Sequence, residues 1–314
     1  MKIDSPIQFQ NVCKRFRDTF ALDNVTLEVT PGQVFALLGE NGAGKTTSIK
    51  IMMGMLDADS GKSRILGLDS QREHLAIRQQ VGYVSDQPSL YDWMTVERIG
   101  WFASGFYPNG YKDEFDRLVG QYGLDAKKKI KSLSKGMRAK VALSLALAHQ
   151  PSLLILDEPT SGLDTLVRRD FLESMVDIAA EGRTVFLSSH QIPEVERVAD
   201  TIAIISKGKL LVVESMDRLK RTTSQVIITT SGELPRLALP DIIYQEKQGR
   251  QIRCVVRHDD DLDLSSIADN PLVQGLEVIR PSLEEIYVAY MRSTGSPASS
   301  ANTNAVLDAK EINS

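Results

Sequence analysis

The stretch Gly39-Glu40-Asn41-Gly42-Ala43-Gly44-Lys45-Thr46 constrains this 314-residue chain more than any other. It follows Val34-Phe35-Ala36-Leu37-Leu38, an apolar run suited to a buried parallel strand, and precedes Thr47 to Leu56, which can run as a helix. Gly39, Gly42 and Gly44 let backbone N–H groups turn toward an anion, Lys45 adds a cation at the same point, and the Thr46 hydroxyl suits Mg²⁺. Strand, glycine loop and helix in this order predict a phosphate-cradling loop in an α/β nucleotide triphosphatase core, with ATP or GTP as ligand. A glycine-rich turn without a ligand is the weaker reading of Gly-Lys-Thr at this spacing.

Lys and Arg total 37 against 41 Asp and Glu, and the net charge of −4 gives no bulk reason to expect nucleic-acid binding. Hydrophobic residues at 42% suffice for one large or two medium packed cores. Cys13 and Cys254 are far apart and lack metal-ligand spacing, which fits a reducing cytosol. The chain has no run of about eighteen apolar residues, and its first thirty hold Asp4, Lys14, Arg15 and Arg17 instead of a signal core. The expectation is a chain neither exported nor membrane-spanning by itself.

Residues 7 to 38 alternate apolar and polar positions around turns at Asp18-Thr19 and Thr30-Pro31-Gly32, predicting an antiparallel β layer. A helical subdomain is expected over about 88–149, including Glu114 to Tyr122 and Ala139 to Ala148. Strand patterns return at Leu153 to Leu156, Thr184 to Leu187 and Thr201 to Ile205, with helices at 165–180 and 193–199 between them. A turn at Lys207-Gly208-Lys209 and the run Leu210 to Val213 close a first domain, 1–214. Residues 215–292 read as a small α+β appendage, with strands at Val226 to Thr230, Ile242 to Glu246 and Ile252 to Val256, a hairpin turn at Lys247 to Arg250, and an amphipathic helix at Ser282 to Met291. The tail 293–314 is rich in Ser, Ala, Asn and Thr and is expected to be disordered, with a short helix over Val306 to Ile312 as the alternative.

Leu153-Leu154-Ile155-Leu156 delivers Asp157 and Glu158 at the tip of an apolar strand. Taken alone, Asp-Glu-Pro reads more simply as a solvated turn. Beside a phosphate loop, the first acid suits Mg²⁺ and the second suits polarisation of an attacking water. His190 follows the strand-like Thr184 to Ser189, where a neutral imidazole can contact a γ-phosphate and orient that water; a hydrogen-bonded histidine without catalytic work is the competing reading. His74, His149 and His258 are taken as surface or packing residues.

With these residues in order, residues 7 to 214 resemble the ATP-binding cassette (ABC) ATPases. Leu133-Ser134-Lys135-Gly136-Met137 is similar to the family signature Leu-Ser-Gly-Gly-Gln, Ser161-Gly162-Leu163-Asp164 to its D-loop, and His190 to its switch histidine. Phe16 resembles the adenine-stacking aromatic, with Phe20 as competitor and half-buried packing as the alternative role. The resemblance implies a P-loop (RecA-like) core with an antiparallel β layer and an inserted helical subdomain. It also implies MgATP held by Gly39, Glu40, Asn41, Gly42, Ala43, Gly44, Lys45, Thr46 and Thr47, with Thr46 and Asp157 on the metal and Glu158 and His190 catalytic. A head-to-tail dimer, homo- or heterodimeric, would sandwich each nucleotide between one subunit's phosphate loop and Ser134, Lys135 and Gly136 of the other, where a helix N-terminus favours negative charge.

Lys135 and Met137 depart from the signature, while the phosphate-facing Ser134 and Gly136 remain. After Val81-Gly82-Tyr83-Val84 comes Ser85-Asp86-Gln87-Pro88, so the Q-loop position falls on Asp86 or, shifted by one, on Gln87, with Asp86 favoured. Ser89 to Val96 resembles the surface that receives a coupling helix from a membrane subunit, with burial of Trp93 as an equal alternative. Pro281 to Met291 resembles the ending of ATPases of bacterial ABC-2-type exporters. The expectation is a motor subunit on the cytoplasmic membrane face, driving export through a separate multi-span permease, with no nucleic-acid partner. The alternative is a soluble ABC ATPase that remodels a macromolecular partner. A phosphotransferase would leave the signature and D-loop unexplained.

Overall fold

Strands that are apolar at every position can be buried only where both sheet faces are covered, and here they form the centre of a parallel sheet. The computed structural model describes residues 5–232, 239–259 and 262–293, and contacts divide the chain into two units, Met1–Met216 and Asp217–Ser314. The first unit begins with β1 (Ile7–Phe16) and β2 (Thr19–Val29), an antiparallel hairpin, and continues through β3 (Val34–Leu38), buried throughout, into α1 (Lys45–Met52). Next come β4 (Ser60–Ile65), β5 (Leu68–Asp69), α2 (His74–Gln80) and β6 (Val81–Val84). The helices α3 (Val96–Ser104), α4 (Tyr111–Gln121) and α5 (Lys135–Leu147) occupy the segment expected to be helical. The chain then alternates as β7 (Leu153–Asp157), α6 (Thr165–Ala180), β8 (Thr184–Ser189), α7 (Ile192–Val198), β9 (Thr201–Ser206) and β10 (Lys209–Ser215).

The main sheet has the order β10-β9-β3-β8-β7-β6, parallel except for β10, and a smaller antiparallel sheet has the order β2-β1-β4-β5. One core joins them, with Ile7 and Phe9 of the small sheet, Phe35, Ile155 and Phe186 of the main one, and Ile49 of α1. Phe35 and Phe186 stack at 5.5 Å with their planes 10° apart. The strand β4 escapes a periodicity reading because Ser60-Gly61-Lys62-Ser63-Arg64-Ile65 carries a single large apolar residue. Pairing with β1, Ile7 opposite Ile65, makes it a strand.

Some helices, α3 and α5 among them, start where a side chain satisfies a free N–H group. Thr95 accepts from the N–H of Arg98 at the start of α3, and Ser134 accepts from that of Met137 at the start of α5. Gly100 of α3 lies against the Phe115 ring of α4, so close that an added Cβ would sit 2.2 Å from it.

After α8 (Met216–Arg221), whose first residue ends the first unit, the second unit continues with β11 (Thr223–Thr230), β12 (Ile242–Gln248), β13 (Gln251–Arg257), α9 (Ser265–Ala268), β14 (Val273–Ile279) and α10 (Leu283–Ser293). Its antiparallel sheet, β12-β13-β11-β14, packs Val226, Ile228, Ile252, Cys254 and Val256 against Ile267. Gly249, at φ 61°, makes the tight turn between β12 and β13. The edge strand β14 has mostly exposed side chains, so no alternation marks it in the sequence. Ser282 and Glu285 cap α10 reciprocally, each side chain accepting from the other's N–H. Apart from Ser293, the expected tail 293–314 lies outside the described residues.

His149 ends the segment after α5 and stacks on Tyr107 at 4.6 Å, and Tyr107 stacks on Tyr111 at 4.7 Å. Burial pushes the His149 imidazole down to about 4. The fold thus holds it neutral, whereas the unfolded chain protonates it near pH 6.5. Its contribution is complete above pH 6.5 and is lost as pH falls toward 4, up to about 3 kcal/mol. A His149→Phe variant, stacked but unable to titrate, should therefore show a flatter fall in melting temperature across that window than the parent in thermal unfolding.

Candidate nucleotide site

Ligands of open α/β sheets gather beyond the carboxyl ends of the parallel strands, and the strand order decides which ends adjoin. Strand β8 lies between β3 and β7, with Ser188 opposite Leu37 on one side and Asp157 on the other. The glycine loop leaving β3 and the acids leaving β7 therefore meet across the end of β8.

The loop is fixed by close backbone approach. Gly44 has φ 114°, and a Cβ there would lie 2.5 Å from the Ala21 carbonyl oxygen; one on Gly39 would lie 2.5 Å from that of Ile205. The Ala43 N–H donates to the Glu40 carbonyl at 3.1 Å, and the Ala43 carbonyl accepts from Gly208 at 2.9 Å. Glu40, Asn41 and Gly42 remain exposed at the tip, while Thr47 is half-buried in α1.

Lys45 is only 5% exposed. Its Nζ donates to the carbonyls of Gly39 at 2.6 Å and Glu40 at 3.0 Å, and pairs with Glu158 Oε1 at 3.0 Å. The other oxygen, Oε2, lies 2.8 Å from His190 Nδ1. Lys45, Glu158 and His190 thus form one connected line. Asp157 is buried beside them, which pushes its carboxyl up; the hydroxyls of Ser188 and Thr46 counter this, and the charges of Glu158 and Asp86 add to it. Asp86 and Gln87 are both exposed and line one cleft. Among the described residues no three His, Cys, Asp or Glu side chains gather in metal-ligand geometry. The hard donors here are a hydroxyl and buried carboxylate next to the phosphate loop.

The signature and D-loop form a second, adjacent surface. Ser134 caps α5, Gly136 packs so tightly on Val167 of α6 that a Cβ would fall 2.6 Å from Cγ1, and Asp164 caps α6 by accepting from the Val167 N–H. The Lys135 side chain lies over Gly162, its Nζ 2.4 Å from where a Cβ would stand. A cleft of about 360 Å³ separates Lys135 and Ser161 from Asp86 and Gln87. Phe16 and Phe20 are both about half exposed, with Lys14 over the first ring at 5.6 Å and Arg15 over the second at 5.3 Å.

Sequence reasoning missed three features: the Lys45–Glu158 ion pair, Ser188, and a buried clasp in which Glu194 accepts from Thr160 and pairs with Arg168, which also donates to the Leu163 carbonyl. No periodicity marks Ser188, which meets Asp157 only through the register of β8 against β7.

Comparison with known proteins agrees with this geometry. Residues 22–161 match the family model described as ABC transporter. An uncharacterized ABC transporter ATP-binding protein of Methanocaldococcus jannaschii is 31% identical over 264 residues, covering 80% of this chain and 95% of that protein. YbhF of Escherichia coli, a probable multidrug ABC transporter ATP-binding protein, is 36% identical over 222 residues, covering 69% of this chain, which spans only 38% of YbhF. A solved ATP-binding subunit of an ABC transporter superposes with a TM-score of 0.64 at 29% identity, covering 69% of this chain and 92% of that one. The chain belongs to the ABC transporter family, and its first unit is an ATP-binding cassette.

Gly44→Ala should lower unfolding free energy by about 1–3 kcal/mol, since it combines backbone strain with a clash. Gly42→Ala, whose Cβ meets nothing within 4 Å, should cost less in denaturant titrations.

Proposed function

We propose that this chain is the ATP-hydrolysing motor subunit of an ABC transporter, working from the cytoplasmic membrane face and driving export through a separate permease. The observation that carries the proposal is the continuous line Lys45–Glu158–His190 at the end of the central sheet, where a phosphate loop meets a carboxylate base and its hydrogen-bond partner. Lys45 exchanges Glu158 for phosphate oxygens, and Glu158 then accepts the proton of the attacking water. His190 Nδ1 holds the carboxylate in place and its ring, 39% exposed, faces outward for the γ-phosphate. Thr46 and Asp157, with Asp86 in the Q-loop position, fit Mg²⁺, which takes one or two carboxylates and completes its shell with phosphate oxygens and water. That ion supplies neutralisation of charge on the phosphates. Phe16 stacks on the base, and Ser134, Lys135 and Gly136 complete the site of a second subunit, with the D-loop beside them.

Export through a permease draws support from three sides. YbhF carries a multidrug designation, the C-terminal helix resembles the ending of exporter ATPases, and an exposed aromatic surface lies beyond the Q-loop. Tyr91 and Trp93 are exposed, not buried, and join Phe102 and Phe106 in an aromatic surface beyond the Q-loop, suited to anchoring a coupling helix.

Glu158→Gln should bind ATP with wild-type affinity and lose more than about a hundredfold in turnover, measured by phosphate release and fluorescent-nucleotide binding; wild-type turnover would remove the base. Asp86→Ala should reduce Mg²⁺-dependent turnover more than Gln87→Ala; the reverse order would shift the Q-loop register to Gln87.

A further inference from the structure

We infer that Ser188 is a positioning residue that sets the two acids relative to each other, a role resting on the ATPase reading above. Ser188 is fully buried. Its hydroxyl donates to Asp157 Oδ1 at 2.7 Å and accepts from the Glu158 backbone N–H at 3.0 Å. A hydroxyl has one proton and two lone pairs, so with its proton committed to Asp157 it still holds the next residue's N–H. One side chain therefore grips two consecutive residues of the neighbouring strand.

The grip matters because of what happens at Glu158. Adjacent residues of a regular strand point to opposite faces, which would separate the acids. Glu158 instead adopts φ 49°, a left-handed conformation that a non-glycine residue enters at a cost. With that turn its carboxylate reaches both Lys45 and His190, while Asp157 stays buried beside Thr46. The Ser188 hydroxyl sits on the hinge itself, at the amide between the two residues. The register makes this possible, since Ser188 is the β8 residue opposite Asp157. The neighbouring Ser189 works on a different segment: its hydroxyl accepts from the Gln191 N–H and its carbonyl accepts from Gly39.

Threonine and valine at position 188 have nearly the same shape, and only threonine keeps the hydroxyl. Any cost of the extra bulk is shared by both, so their difference isolates the two hydrogen bonds. The test compares full-length wild type, Ser188→Thr, Ser188→Val, Ser188→Ala and Glu158→Gln. Binding of a fluorescent ATP analogue in EDTA, the Mg²⁺ concentration that half-saturates its fluorescence change, and kcat and KM for ATP are each measured. Expected are EDTA affinities within about twofold of wild type throughout, and kcat lower by about 10- to 100-fold in Ser188→Val and Ser188→Ala, with KM little changed and Mg²⁺ half-saturation raised several-fold. Ser188→Thr should stay within about threefold of wild type. Equal kcat and equal Mg²⁺ half-saturation in Ser188→Val and Ser188→Thr would overturn the inference, and Ser188→Ala decides the matter by the same two readouts should the larger side chains disturb packing. A wild type without ATP turnover, or Glu158→Gln turning over like wild type, would instead defeat the ATPase reading on which the inference rests.

Discussion

Burying an ammonium is costly unless its charge and its hydrogen-bond donors are met, and the site is organised around that requirement at Lys45. Two carbonyls of the phosphate loop and one oxygen of Glu158 meet it. The arrangement ties the state of the loop to the state of the base. While Lys45 holds Glu158 on one side and His190 holds it on the other, the carboxylate is engaged at both oxygens. In the proposed cycle a phosphate that draws Lys45 away also releases one of those oxygens, so arrival of substrate and readiness of the base are a single event.

The strand order supplies the distances on which this depends. Because β8 separates β3 from β7, the loop and the acids stand one strand apart, and both ends of β8 residues Ser188 and Ser189 are occupied: one binds the acids, the other the first glycine of the loop. A second tie lies outside the sheet, where Arg168 and Glu194 clasp Thr160 and Leu163 and hold the chain between Glu158 and α6. Glu194 is buried, which pushes its carboxyl up, and the Thr160 and Arg168 contacts oppose that.

Much of this was legible in the residues. The phosphate loop, the acids and His190 announce themselves because each terminates an apolar strand, and a short, wholly apolar run is a strong signal. Thr46, Asp157, Glu158 and His190 do come together where the order of motifs implied. The segments that escaped notice lack such contrast: β4 is nearly all polar, and β14 exposes most of its side chains. Both exist because a neighbouring strand offers partners, which is a tertiary effect. Trp93 illustrates the opposite limit, since a sequence gives its size and apolarity but not which side of the surface it occupies. Ser188 escaped for another reason: a serine among apolar residues is uninformative until the strand beside it is known.

Lys135 and Gly162 set the charge of this part of the surface. The lysine chain fills the space that a side chain at 162 would take. Gly162 sits at φ 66°, a conformation that favours glycine whatever residue stands at 135. The departure from the family signature thus lays a flexible, positively charged chain along the D-loop glycine, at the edge of the cleft that Ser161 also lines.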